Sequence, residues 1–310
     1  MGSPTVSVAP SPGPAAPSEP TAPATVSLAP GLLGAFRLDG ARALVTGASR
    51  GIGRACAVAL ADAGCDLALA ARSTEALAAT AAAVEARGRK AVLLAGDLGV
   101  PGTARALVDA AAAALGGLDV VVHNAGVLPT ADDGVTPVVA PFTESDRHGW
   151  EQVIGINLHA TAELCRAAHP VLAESPRASL VLMSSVAGVI AAPLLEAYAA
   201  SKAAQVSLAR TLAAAWARAG IRVNALCPGW TRTDMTSFAH TSGPLSDWLL
   251  AHVPLGRWAH PDEVAAATLF LASPASSYLT GHALVLDGGL SLADGGLAGI
   301  PKPPSPFVAP

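Results

Sequence analysis

The stretch Ala43-Leu-Val-Thr-Gly-Ala-Ser-Arg-Gly-Ile-Gly53 decides the fold of this chain. Its first four residues form a short apolar run that predicts a buried strand. Three glycines follow, and the alanine-rich run to about Ala63 then predicts a helix. A glycine turn between a strand and a helix lets the backbone approach a pyrophosphate, which the free N–H groups of the helix N-terminus can bind. The stretch therefore indicates dinucleotide binding, although its G-x-x-x-G-x-G spacing is not the commonest one.

Strand and helix patterns alternate along the rest of the chain. Apolar runs predict strands at residues 43–46, 66–71, 91–95, 118–122, 179–183, 221–226 and 282–286. Such alternation is typical of an α/β fold with a doubly wound parallel sheet, in which right-handed crossovers place helices on both faces. We therefore expect a single-domain Rossmann-type fold of about seven strands.

Composition sets the boundaries of the folded domain. Residues 1–35 are rich in proline, alanine, serine and threonine, which cannot bury enough apolar surface to offset the entropy of ordering. We expect a disordered extension there, a folded domain over residues 36–293 and a proline-containing tail over residues 294–310. The extension is either a passive tail or a docking segment for a partner.

Charge and cysteine usage exclude several classes of protein. The net charge of −4 argues against a nucleic-acid partner, which needs a basic footprint. The four cysteines are dispersed, with no metal-ligand spacing, so we expect buried free thiols, no metal and a cytoplasmic location. Residues 178–195 carry no charge, but their serines, glycine and proline indicate a buried strand and a loop, so no membrane association is expected.

A second pattern concerns chemistry. In Tyr198-Ala-Ala-Ser-Lys202 the phenol and the ammonium are four residues apart, which places them on one face of a helix. A cation beside a phenol lowers its pKa toward the working range of a general acid-base. The spacing by itself also occurs by chance in solvated pairs.

Three residues bear on the choice of cofactor. An acidic residue at the end of the second predicted strand would bind the ribose hydroxyls of NAD, but this chain has Ala71 followed by Arg72. Arg50 lies in the glycine turn, and two guanidinium groups without a carboxylate suit the 2′-phosphate of NADP. Asp97, after the third strand, could reach the adenine edge. The alternative is that both arginines are ordinary surface residues.

Several motifs together resemble those of the short-chain dehydrogenases/reductases. The resemblance runs in order from about Phe36 to Leu292, and its closing segment is similar to the 3-oxoacyl-carrier-protein-reductase-like branch. The motifs are Thr46-Gly-Ala-Ser-Arg-Gly-Ile-Gly53, Asn124-Ala-Gly126, Asn157, Ser185, Tyr198-Ala-Ala-Ser-Lys202, Pro228-Gly229, Arg257-Trp-Ala-His-Pro-Asp-Glu263, Leu271-Ala-Ser273, Thr280-Gly281 and Asp287-Gly-Gly289.

The resemblance implies four catalytic residues. Tyr198 would be the general acid-base, and Lys202 would lower its pKa and hold the hydroxyls of the nicotinamide ribose. Ser185 would orient the substrate carbonyl, with its neighbour Ser184 a weaker candidate. Asn157 would hold a water in a proton relay behind Lys202.

The resemblance also implies a cofactor site. Its residues would be Thr46, Gly47, Ser49, Arg50, Gly51, Ile52, Gly53, Arg72, Asp97, Leu98, Asn124, Ala125, Gly126, Tyr198, Lys202, Pro228, Gly229, Thr231 and Thr233. One departure is His123, where the family often has asparagine. We expect cofactor binding to survive this change, while His123 could alter the local pH behaviour.

These patterns favour one function and leave others open. We expect an NADPH-dependent carbonyl reductase, reversible as a secondary alcohol dehydrogenase, that acts on a small molecule and assembles as a homotetramer. An NAD-dependent polyol or steroid-type dehydrogenase is the nearest alternative. A non-catalytic dinucleotide-sensing protein or a scaffold is a more distant one. Residues 230–258 form either an apolar lid over the substrate or ordinary packing.

Overall fold

The computed structural model describes residues 31–130 and 137–292, which contain one seven-stranded sheet. All neighbouring strands are parallel, in the order β3-β2-β1-β4-β5-β6-β7. The predicted Rossmann-type fold is confirmed. The strands are β1 (Arg42–Thr46), β2 (Asp66–Ala71), β3 (Ala91–Ala95), β4 (Val120–His123), β5 (Ser179–Met183), β6 (Arg222–Pro228) and β7 (Ala283–Leu286).

Helices cover both faces of the sheet. They are α1 (Gly51–Asp62), α2 (Ala78–Glu85), α3 (Thr103–Leu115), α4 (Arg147–Ile154), α5 (Ala160–Leu172), α6 (Glu196–Trp216), α7 (Ser237–His240), α8 (Gly243–Leu250) and α9 (Pro261–Ala272). Side chains from α1, α2 and α9 form one apolar core against the sheet, and those from α3, α5 and α6 form the other. Both faces are therefore buried, which explains why the central strands are apolar throughout rather than alternating.

The strand order reverses between β1 and β4. Open α/β sheets bind ligands in the crevice beyond the carboxyl ends of the strands at such a switch point. The register pairs Thr46, the last residue of β1, with His123, the last residue of β4. The glycine turn and the Asn124-Ala-Gly126 segment therefore begin side by side at this edge.

Most predicted elements lie where the sequence places them, but one helix is interrupted. The sequence from about Asp146 predicts one helix that contains Asn157. The structure has α4, then a π-helical segment Gly155–His159, then α5. A π-helical turn inserts one extra residue into a helix, so it shifts the side chains that follow and is common at functional sites.

Three further expectations concern the ends of the chain, the cysteines and membrane-crossing helices. A 3-10 turn over Leu32–Phe36 lies at the expected boundary of the extension, while residues 1–30 and 293–310 lie outside the described residues. All four cysteines are free and buried, as predicted. Within the described ranges, no helix has the length and apolar character needed to cross a membrane.

The aromatic side chains of residues 230–258 pack mainly on one another. Trp230 and Trp258 meet edge to face with their centroids 5.6 Å apart. The indole N–H of Trp258 donates to the Ser246 hydroxyl at 2.8 Å, and Ala239 and Leu249 complete a buried cluster. Much of the apolar character of this segment therefore serves its own packing.

Candidate active site

The glycine turn is built for close backbone approach. Gly47 and Gly51 have φ values of 65° and 53°, which favour glycine. A Cβ at Gly53 would lie 2.1 Å from the carbonyl oxygen of Gly47, so no side chain fits there. α1 begins at Gly51 in this turn, and no side chain caps its first N–H groups. The geometry therefore suits a pyrophosphate group.

Thr46 and Asn124 tie this turn to the end of β4. The Thr46 hydroxyl accepts hydrogen bonds from the backbone N–H groups of Asn124 and Ala125, both at 3.1 Å. In return the Asn124 amide donates to the carbonyl oxygens of Thr46 and Gly47, at 3.1 and 3.2 Å. The Asn124 side chain thus holds the backbone at the start of the glycine turn in place through these two hydrogen bonds.

His123 is fully buried and locked in one neutral tautomer. Its Nδ1 lies 3.0 Å from the Thr46 hydroxyl, and its Nε2 lies 2.9 Å from the Thr161 hydroxyl. The Thr161 hydroxyl donates its own proton to the backbone carbonyl oxygen of Asn157. Nε2 of His123 must therefore donate to Thr161, and Nδ1 must accept from Thr46. Burial, assisted by the charge of Lys202, lowers the His123 pKa to about 3. His123 is therefore neutral at physiological pH and does not titrate there.

Tyr198 and Lys202 lie one turn apart on α6, with Nζ 5.5 Å from the centre of the phenol ring. The structure differs from the expectation that Lys202 lowers the phenol pKa. Burial has the largest effect and raises the pKa of Tyr198, while a hydrogen bond with the Ser185 side chain opposes the rise. Burial also lowers the pKa of Lys202 to about 8, with the Cys227 thiol acting in the opposite direction.

Two acceptors fix the position of the Lys202 side chain. Its ammonium donates to the carbonyl oxygen of Met183 at 2.8 Å and to Oε1 of Gln205 at 3.1 Å. A Cβ at Gly126 would lie only 3.3 Å from Nζ, so this glycine provides the space that the ammonium occupies.

The two serines after β5 have different surroundings. Ser184 is buried, and its hydroxyl donates to the backbone carbonyl of Lys202 at 2.8 Å. Ser185 accepts from the N–H of Ala187 at 3.2 Å, and its hydroxyl is near enough to Tyr198 to act against the rise of the phenol pKa. Of the two serines, Ser185 is the one whose side chain acts on Tyr198.

Asn157 is fully buried in the π-helical segment. Its side chain bonds the backbone of Val127 at 2.8 and 2.9 Å and the Ser201 hydroxyl at 3.1 Å. The backbone carbonyl oxygen of Asn157 accepts from the Thr161 hydroxyl at 2.6 Å and from the Gln205 amide at 2.8 Å. The Gln205 amide thus bridges the Asn157 carbonyl and the Lys202 ammonium, the two groups between which a relay water was expected. Gln205 is not among the residues that the sequence predicts for the site, since its only signal there is an amide among apolar residues of α6.

The guanidinium groups expected at the cofactor lie in different settings. Arg50 pairs with Asp234 across the cleft, whereas Arg72 is exposed and has no ion pair or hydrogen bond among the described residues. Asp97 is exposed and accepts from the N–H of Gly99 at 2.9 Å, and Leu98 packs against the core beside α3.

The candidates after β6 close the other side of the crevice. The Thr231 hydroxyl donates to the carbonyl of Gly229 at 3.1 Å, and Thr233 forms a capping box with Thr236. A Cβ at Gly51 would lie 3.3 Å from the Thr233 side chain, so the glycine turn and this segment are in near contact. The remaining expected cofactor residues, Ser49, Ile52 and Pro228, lie in the glycine turn, at the start of α1 and at the end of β6.

A cavity opens between residues 129–130 and 138–150 on one side and the first turn of α6, which carries Tyr198, on the other. Its lining includes the apolar Val138, Phe142, Trp150 and Leu194 together with the acidic Glu144 and Glu196. Leu194 has a φ of 70°, the only positive value of a non-glycine residue in the described ranges. Such backbone costs roughly 1–2 kcal/mol and often marks functional sites.

Known proteins resemble this chain over nearly all of the described fold. A family model described as Enoyl-(Acyl carrier protein) reductase matches residues 47–291. Gluconate 5-dehydrogenase of Gluconobacter oxydans is 34% identical over 83% of this chain and 97% of its own length. D-threitol dehydrogenase of Mycolicibacterium smegmatis is 38% identical over 83% of this chain and 95% of its own length. The structure of a Burkholderia cenocepacia gluconate 5-dehydrogenase, in complex with NADP and tartrate, is 34% identical with a TM-score of 0.77, covering 84% of this chain and 98% of that one.

Proposed function

The chain belongs to the short-chain dehydrogenase/reductase family, and from that premise we propose that it is an NADPH-preferring carbonyl reductase, reversible as a secondary alcohol dehydrogenase. The observation that carries the proposal is the meeting of Tyr198, Ser185 and Lys202 beside the glycine turn, at the strand-order reversal. We assign the activity to residues 36–293. A bound nicotinamide supplies or accepts the hydride.

The protein side chains handle the proton. Ser185 orients the substrate oxygen, and Tyr198 gives its proton to that oxygen in reduction or takes one from it in oxidation. The raised pKa of Tyr198 keeps the phenol protonated, which suits the reductive direction. Lys202 directs two N–H groups at Met183 and Gln205, which leaves its third for the ribose hydroxyls that the family resemblance assigns to it.

Support for NADP rests on charge at the end of β2. Ala71 offers no carboxylate to bind the ribose hydroxyls of NAD, and the unpaired Arg72 can meet a 2′-phosphate. A related solved structure is described in complex with NADP. NAD remains the alternative cofactor.

A second candidate function is that of a polyol dehydrogenase. The specific observation is the similarity to D-threitol dehydrogenase and to galactitol 2-dehydrogenase of Cereibacter sphaeroides, which is 37% identical. The cavity beside α6 carries acidic groups and, within its described lining, no cationic side chain. A cavity of this kind favours an uncharged ketone or polyol over a sugar acid, because a carboxylate substrate would find no partner.

The test is a paired screen of both cofactors against ketones, acyl thioesters, ketoses and keto acids, with polyols and sugar acids in the reverse direction. We expect NADPH-dependent reduction of uncharged carbonyls and little activity on acids. Turnover with NADH and polyols alone would favour the second candidate. Dinucleotide binding without turnover of any substrate would favour a sensing protein. Removal of residues 1–30 should leave turnover unchanged, which would discount a scaffold role for the extension.

A further inference from the structure

We propose that Gln205 is a positioning residue for the reaction. It fixes the Lys202 ammonium and joins it to the backbone carbonyl of Asn157, in the place where the family resemblance implies a relay water. The inference rests on the proposed function for its catalytic meaning. Its geometry is independent of that function: Gln205 is fully buried, three residues after Lys202 on α6.

The hydrogen bonds around Gln205 are complete and leave one arrangement. Oε1 accepts from the Lys202 ammonium at 3.1 Å. The two protons on Nε2 go to the Asn157 carbonyl at 2.8 Å and to the Thr161 hydroxyl at 3.0 Å. Both protons of the amide are therefore used and its oxygen is engaged, and flipping the amide would set its NH2 group against the ammonium.

Further hydrogen bonds connect Gln205 to the glycine turn. Thr161 accepts from His123, and His123 accepts from Thr46, whose oxygen also holds the backbone after β4. Lys202 is thus joined through Gln205, Thr161 and His123 to the residue that begins the glycine turn. A buried network that is fully satisfied holds its members in one geometry, since any break leaves an unpaired polar group.

Gln205 also affects the charge of Lys202. The titratable groups that face this ammonium are Tyr198 on its own helix, Cys227 on β6 and His123 on β4. His123 is held neutral, and burial raises the pKa values of both Tyr198 and Cys227. The acceptors that stabilise the ammonium are then the Met183 carbonyl and the Gln205 amide oxygen. Because an amide does not pass a proton as water does, the route from Lys202 toward Asn157 is closed.

The test titrates Lys202 directly. The chain has three lysines, Lys90, Lys202 and Lys302, so protein labelled with ¹³C at lysine Cε gives three signals. The signal that disappears in Lys202→Met identifies Lys202. Removing the acceptor in Gln205→Leu should lower the Lys202 pKa by roughly one unit, whereas the carboxylate of Gln205→Glu should raise it.

Thr161→Val is the matched control, because it breaks the same network without removing the acceptor of Lys202. It should lower stability and leave the Lys202 titration near that of the wild type. If Gln205→Leu does not fold, Gln205→Met, an unbranched apolar side chain, takes its place.

A Lys202 pKa within about 0.3 units of the wild type in the apolar variant, or a shift of the same sign in both Gln205 variants, would overturn the proposal. The titration needs no substrate, so its failure is distinct from failure of the proposed function. In turnover assays, Gln205→Leu should lower kcat by about tenfold with little change in the KM for the carbonyl.

Discussion

Arg50 and Asp234 form an ion pair across the mouth of the cleft, with Nη1 of the arginine 3.0 Å from Oδ2 of the aspartate. Arg50 lies in the glycine turn, and Asp234 begins the first helical turn after β6. Both side chains are about two-thirds exposed, at 67% and 66%, so the pair contributes little to stability, about 0–1 kcal/mol. A phosphate can therefore compete for Arg50, while Arg72 is already free to bind one.

Arg72→Asp tests the cofactor preference. We expect the wild type to favour NADPH over NADH by about tenfold or more in kcat/KM, since one charge-assisted contact of ~1.4 kcal/mol suffices. The substitution removes that contact and adds a carboxylate that repels the 2′-phosphate and can bind the ribose hydroxyls. The preference should shrink or reverse. Arg218→Asp, at an exposed arginine in the 3-10 turn that follows α6, is the control. A wild type that uses NADH equally well would contradict the assignment.

Asp234→Asn separates Arg50 from its partner. Without the carboxylate, Arg50 no longer has to break an ion pair to reach a phosphate, so kcat/KM with NADPH should rise by about two- to fivefold. The value with NADH should change less, because NADH has no 2′-phosphate. The measurement is steady-state kinetics with both cofactors at low and high salt, and the gain should shrink at high salt. An equal gain with both cofactors would show that Arg50 does not reach the 2′-phosphate.

Tyr198→Phe tests the proton donor by removing one oxygen. Turnover should fall by at least ~10²-fold, the usual loss on removing a general acid-base, while the Kd for the cofactor changes little. The only other tyrosine, Tyr278, is fully exposed, and Tyr278→Phe should retain full activity. Near-native turnover in purified Tyr198→Phe would refute the assignment.

The buried His123 predicts a pH dependence of stability. Its pKa is about 3 in the folded protein and near ~6.5 when unfolded, so between these values only the unfolded state binds the proton. The contribution of His123 to the free energy of unfolding is therefore fully present above about pH 6.5. Below that pH the free energy of unfolding falls by up to ~1.4 kcal/mol per pH unit. Denaturant unfolding from about pH 8 to pH 5 should show this slope.

The matched variant is His123→Asn, which places the residue common in the family at this position. It should lose part of that slope while losing some stability at neutral pH, because Thr161 and Thr46 lose their shared partner. An unchanged slope would mean that another group carries the pH dependence.

Assembly as a homotetramer remains a prediction, and the surface of α6 offers its test. Ala203 and Ser207 lie exposed on this helix, and small residues allow close helix contact. Ala203→Arg should lower the mass measured by light scattering at micromolar concentration without unfolding the protein. Ala79→Arg, an exposed alanine on α2 of the opposite face, should leave the mass unchanged. A monomeric wild type would contradict the prediction.

The sequence by itself determined the order of strands and helices, the glycine turn and the Tyr198–Lys202 pair. Each of these follows from rules that act over a few residues: apolar periodicity, the steric freedom of glycine and the four-residue turn of a helix. The predicted strands at 66–71, 91–95 and 179–183 agree with β2, β3 and β5 for this reason.

Only the tertiary structure decided what these side chains meet. The contact of Gln205 with Asn157 joins residues 48 positions apart, that of His123 with Thr46 joins residues 77 apart, and the Arg50–Asp234 pair spans 184. The burial that raises the Tyr198 pKa and keeps His123 neutral likewise depends on distant elements closing over one edge of the sheet. Local patterns carry no information about such partners, because hydrogen bonding and desolvation are set by distances in space and not along the chain.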